Sequence, residues 1–243
     1  MSDTVAPTGV AAPAAETETK TKVSPSPLNQ AHARKLTKAE SIGLAAQIEA
    51  HAAALAKREI SEEYVTEFAG DVEAARAKAA EALNHRTAHR NATATEKSAA
   101  LSLEAAMREV QKAAKQKYAS TNRIALANYL IGKKLNGSRP NLAQTSQALV
   151  TQLGNDTLPG FTAAKVKNLG TLRDSWITAQ DAQAQAEAAA LDSRAELLTM
   201  LKSVEDRRRA LQLAADAEWP HTEDANAGVR KEFGLQPRRP LVV

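Results

Sequence analysis

The clearest pattern in the chain is a seven-residue repeat of apolar positions near its C-terminal end. Leu169, Leu172, Trp176, Ala179, Gln183, Ala186, Ala190, Ser193, Leu197, Met200, Val204, Arg207, Leu211 and Ala214 follow alternating steps of three and four. Only Gln183, Ser193 and Arg207 among them are polar. Such spacing aligns one face of a helix and predicts a coiled-coil-like seam. The breaker run from Gly154 to Gly160 sets its start near Phe161 and Thr162, and Pro220 ends it at about Glu218. At 1.5 Å per residue this helix spans roughly 80 Å.

A second stripe lies earlier. Val65, Phe68, Val72, Ala75, Ala79 and Ala82 occupy the same kind of positions. The stripe fades between His85 and Lys97, then resumes with Leu103, Met107, Val110 and Ala114. A hairpin turn at Arg90 to Thr95 is the alternative to continuity. That stretch has no Gly or Pro, so one helix from Glu62 to about Lys117 is predicted, with Ser61 as its start and Glu62 and Glu63 in its first turn.

Shorter helices surround these two. Thr37 and Glu40 have the spacing of a capping box ahead of Ile42, Leu44, Ala45, Ile48 and Ala52, predicting a helix from there to about Arg58. Two more are predicted over Asn122 to Lys134 and Asn141 to Leu153. The stretch before Leu36 lacks periodicity and carries Pro7, Pro13, Pro25 and Pro27, which predicts a disordered arm over residues 1–35.

The halves match each other. Ser41, Leu44 and Gln47 align with Ser146, Leu149 and Gln152, and Ile48 with Leu153. Ser61, Val65 and Phe68 align with Thr162, Val166 and Leu169. Leu103, Val110 and Tyr118 align with Val204, Leu211 and Trp219. Gly132, Leu135 and Arg139-Pro140 recur as Gly234, Leu235 and Arg239-Pro240. Alanine-rich helices align by chance, whereas a shared order of starts, stops and exits does not. We read an internal duplication, with units at 36–140 and 141–243, each a short helix, a long helix and a cap, packing as one domain. The linker between the long helices is itself partly helical and too short to return along an 80 Å rod. The expected fold is therefore all-α: an elongated antiparallel bundle of two long and two short helices about a pseudo-two-fold axis.

Composition agrees. Alanine, about a fifth of the chain, favours helix and gives a thin core. The chain has no cysteine, which removes disulfides, thiolate metal sites and a cysteine nucleophile. No secretory leader or membrane-length apolar run is evident, so a cytoplasmic location is expected. The net charge is +4, from 32 basic and 28 acidic residues, and interleaved charges of this kind read as solvated helix faces.

Candidate chemistry is sparse. His85 and His89 stand one helical turn apart, with Glu81 a turn earlier, and that spacing can ligate a metal if another helix adds ligands. Arg207, Arg208 and Arg209 form a basic run able to meet phosphates, although Glu205 and Asp206 beside them suggest ordinary pairing within the helix. The aromatic residues fall on the seam or at helix ends, as core anchors do. No phosphate loop, nucleophile elbow or zinc-peptidase signature is present. The expectation is a non-enzymatic structural or protein-interaction bundle that takes a protein partner or associates with itself. It uses no cofactor and no small-molecule substrate. Polar Gln183, Ser193 and Arg207 on the seam would set register or admit another helix. Nucleic-acid or anionic-membrane binding through basic faces is the alternative, with the membrane less favoured, and a metal-binding bundle the third.

Overall fold

A computed structural model describes residues 30–135 and 137–237. Its elements are α1 (Gln30–Ala46), α2 (Glu49–Ala56), α3 (Glu62–Tyr118), α4 (Ala125–Asn128), α5 (Arg139–Asn155), α6 (Ala163–Glu218), a short 3₁₀ turn (Asp224–Asn226) and α7 (Ala227–Glu232). No helix among the described residues is long and apolar enough to cross a membrane. Most of the expected N-terminal arm and the second Arg-Pro exit lie outside the described residues.

The long helices form the body of the fold. The Ser61 hydroxyl accepts from the Tyr64 amide and starts α3, and Thr162, extended, precedes α6. Both run uninterrupted, for 57 and 56 residues, or about 85 Å each. Lys78 meets Glu196 and Arg207 meets Glu67, so contacts step in opposite directions along the two helices and the pair is antiparallel. Every one of the fourteen seam positions of α6 is buried or half-buried. The seam is therefore real over its full length, polar members included.

Two apolar cores sit toward opposite ends. In the first, Leu36 and Ile42 of α1 and Leu55 of α2 pack with Phe68, Leu211 and Phe233. In the second, Leu149 of α5 and Tyr129 pack with Leu103, Met107, Leu169 and Trp176. Leu142, Ser146, Leu149 and Leu153 are the buried residues of α5, the spacing of one helical face.

The two ends are built alike. Gln212 Nε2 donates to the Phe233 carbonyl at 2.7 Å. Gln111 Nε2 donates to the carbonyls of Tyr129 and Leu130 at 3.2 and 3.0 Å. Trp219 stacks on Phe233, and Tyr118 stacks on Tyr129, with centroids 5.3 and 6.0 Å apart. In each half, then, an amide on the long helix holds the cap backbone and an aromatic at the helix end holds the cap ring. Gly132 and Gly234 both take left-handed backbone, with φ of 86° and 64°, which glycine adopts without a Cβ penalty.

The short helices differ from expectation. Helix α1 begins at Gln30, so Thr37 lies within it and is not its cap; Glu40 reaches Arg76 on α3 rather than its own helix start. Leu36, fully buried, draws this earlier stretch onto the core. The predicted helix to Arg58 breaks at Ile48, whose backbone is extended at ψ 125°. Breaking there exposes the Ala45 carbonyl, and His51 Nδ1 meets it at 3.0 Å, which sets the imidazole against Trp219 and Phe233. The predicted helix over Asn122 to Lys134 shrinks to α4, because left-handed Leu130 and Gly132 turn the chain.

Helix α2 ends in a six-to-one bond from Ile60 N–H to the Leu55 carbonyl at 3.2 Å, with Glu59 left-handed at φ 66°. That position normally holds glycine. Glu59 is exposed, so Glu59→Gly removes only the Cβ strain and is expected to stabilise the chain by about 1 kcal/mol. A urea midpoint that fails to rise would refute the strain.

Candidate functional site

Between the cores the rod narrows to a polar layer. Through the weak stretch of α3 the inward positions include His89, half-buried, and Glu96, buried, whereas Arg86 and Thr93, though in phase with the repeat, are exposed. Opposite His89 α6 brings Gln183, with Ala179 and Ala186 a turn to either side, while Ser193 lies further along α6, toward the level of Lys78 and Glu196. Helix α5 adds its first residue: Ser138 caps the helix by accepting from the Asn141 amide, which leaves Arg139 at the helix start, reaching the long pair.

Arg139 ties the layer together. Its Nε donates to Glu96 Oε1 at 2.6 Å and a terminal nitrogen donates to Oε2. The same nitrogen donates to Gln183 Oε1 at 2.9 Å. Glu96 is 8% exposed, so its carboxylate is largely withdrawn from water and held by a two-pronged bond to a guanidinium that stays about half exposed. The bond to Glu96 raises the Arg139 pKa above its ordinary value. With its oxygen turned to Arg139, Gln183 presents its amide nitrogen to His89 Nε2 at 3.1 Å and to Glu187 at 3.1 Å. His89 Nε2 is therefore an acceptor, which assigns its proton to Nδ1. One connected network thus joins α3, α5 and α6. Ser193 Oγ, also buried, has no partner within the described residues.

The sequence candidates separate. His89 belongs to this layer, whereas His85, half-buried a turn earlier, meets Glu81 at 3.5 Å and takes no part in it. No group of three His, Asp or Glu side chains among the described residues is placed to hold a metal ion. The arginine run lies near the first core instead. Arg207 bridges Glu67 and Asp71 at 3.0 and 3.1 Å and lies over the Tyr64 ring. Arg208 binds Glu205 and Gln212, and Arg209 meets Glu205 at 3.5 Å.

Residues the sequence reading missed carry most of the polar chemistry. Glu96 stands in phase with Leu103 and Val110, so continuing the repeat would have found it. Arg139 and Asp156 had no local signal. Asp156, at the end of α5, accepts from Tyr118 and Tyr129 through one oxygen and from Lys117 at 2.5 Å through the other. Lys117 also donates to the Thr157 carbonyl at 2.7 Å. These bonds latch the α5–α6 connection onto the end of α3. Burial pushes the Asp156 carboxyl up, but the bonds from Lys117 and the two tyrosines outweigh it and hold it at about 2. Burial, then the shared carboxylate, raises the Tyr129 phenol.

The sign follows directly. The folded carboxyl lies below its ordinary 3.8, so its contribution is complete above that pH and disappears as pH falls toward 2. Thermal melts from pH 5 to pH 2 should show a steeper loss in the native chain than in Asp156→Asn, which keeps the share due to other paired carboxylates such as Glu205. Parallel curves would remove Asp156 as the cause.

Comparison of the chain with known protein families, with curated proteins and with solved structures finds no match in any of the three.

Proposed function

We propose that this chain is a non-enzymatic interaction rod: an antiparallel coiled coil made from two copies of one helical unit, acting as a spacer or assembly element for a protein partner or for other copies of itself. The observation that carries this reading is the continuous pairing of α3 and α6, closed at each end by the same cap device. Such a body holds surfaces at its two ends a set distance apart. Its polar layer suits a positioning role, since a polar group inside a seam fixes register and pairing. The arginine run supports protein contact over an anionic polymer or membrane, because Arg207 and Arg208 are engaged with carboxylates of the same molecule.

The test combines two measurements on the full chain. Multi-angle light scattering reads self-association, and affinity capture from cells, controlled with a scrambled-surface variant, reads specific partners. A strict monomer that captures nothing beyond that control defeats the proposal.

A further inference from the structure

The waist of the rod carries two outward stripes of uncharged side chains, one small and one apolar. On α3, Ala77, Ala80, Asn84, Thr87, Asn91, Ala94, Ser98, Ser102 and Ala105, spaced three and four apart, are exposed and uncharged, with Glu81 an exposed carboxylate beside the start of the stripe. On α6, Ala184, Ala188, Leu191, Ala195 and Leu198 form an exposed apolar seam with the same spacing, and Leu191 and Leu198 are 59% and 46% exposed. The outer face of a helix in water is ordinarily charged or polar; the α6 seam departs from this with two exposed leucines in one register, and the α3 stripe with small, uncharged side chains in place of charged ones.

The charges beside these faces have opposite signs. Between Leu83 and Ser102, α3 exposes Arg86, Arg90 and Lys97, while its one carboxylate, Glu96, is buried on Arg139. Between Asp181 and Leu198, α6 exposes Asp181, Glu187, Asp192 and Glu196 against Arg194 alone. One side of the waist is thus basic with small side chains, and the other acidic with leucines. Either face repels its own kind, and each suits the other.

Resting on the reading of the chain as an interaction rod, we propose that the α6 seam of one copy docks on the α3 stripe of a second copy, side by side. A neighbour displaced sideways without rotation presents α3 antiparallel to α6, the pairing the fold already uses. Lys78 and His89 of α3 lie level with Glu196 and Gln183 of α6. Leu191 falls between those levels and so meets the small side chains at Ala80, Asn84 and Thr87. Because the two faces are different and lie on opposite sides, the contact does not close on itself, and rows of rods grow beyond the dimer.

Sedimentation velocity of the full chain should show mass increasing with concentration past two copies, and falling as sodium chloride rises from about 50 to about 500 mM. Leu191→Glu with Leu198→Glu should leave helicity unchanged, since both side chains face water, and abolish assembly. Arg86→Glu with Arg90→Glu makes both sides acidic, and Asp181→Lys with Asp192→Lys makes both sides basic. Each pair alone should weaken association roughly tenfold or more, and mixing the two proteins should restore it. A monomer at all concentrations overturns the inference, as does a closed dimer indifferent to the charge reversals. A monomer that still captures a specific protein sinks this inference while leaving the interaction rod standing.

Discussion

Replacing Trp176 with alanine is expected to produce the largest loss of stability of any single change in the second core. The indole is 1% exposed and packs within the cluster of Leu103, Met107, Leu149 and Leu169. Deleting so large a buried ring forfeits its transfer energy and leaves a cavity, at a cost of about 3–5 kcal/mol. For a chain of this length that is a drop in melting temperature of roughly 10 °C. The distribution of the effect matters as much as its size. The second core is separated from the first by the polar layer, so opening should be local. Amide exchange is expected to accelerate in the half containing Trp176 and to change little around Phe68 and Leu211. Equal acceleration in both halves would mean that the polar layer transmits unfolding and that the rod melts as one unit.

Arg139→Ala is expected to be the most damaging change in the polar layer. It leaves Glu96 almost buried with no cation, and Gln183 Oε1 without its donor. A buried charge stripped of its partner costs about 3–5 kcal/mol. The Arg139 side chain is 46% exposed, so water can enter the gap, and a smaller cost, about 2–3 kcal/mol, is expected. The paired replacement Glu96→Leu with Arg139→Leu separates stability from specificity. It removes both charges, so the melting temperature should recover to the native value or exceed it. What should suffer is the uniqueness of pairing. The native chain has no cysteine, so Lys78→Cys with Glu196→Cys, which replaces two side chains already in contact, reports register by the yield of a short bismaleimide crosslink. If the apolar double variant keeps the full in-register yield and yields nothing with the cysteine moved by seven residues, the polar layer does not set register.

The long helices were legible because their signals are local. Pro220 and the uninterrupted seam defined α6, and Ser61 with two glutamates defined the start of α3. The weak stretch of α3 was legible as continuous from its lack of Gly and Pro, but its content was not. An apolar count ignores His89 and Glu96, although they hold the phase of their buried neighbours. The start of α1 was missed for a different reason. Gln30 to Lys35 carries no periodicity, and it is helical because Leu36 and Ala39 dock on the first core. The break at Ile48 has no Gly or Pro either; its sign is His51, whose use depends on Trp219 and Phe233 far along the chain. Arg139 and Asp156 were invisible because each takes its meaning from partners more than twenty-five residues away. Gln111 and Gln212 could have been read, since they stand in the same relation as Tyr118 and Trp219, an aligned pair.

The unbroken phase of both long helices limits how the rod can change length. Removing seven residues from α3 alone would preserve its own buried face but slide every later residue past its partner, and the ion pairs on one side of the cut would lose each other. Removing seven from α3 and the facing seven from α6 keeps all remaining pairs level and brings the two ends about 10.5 Å closer. The separation between the caps is therefore adjustable only in matched increments, as in a ruler whose graduations are cut into both edges.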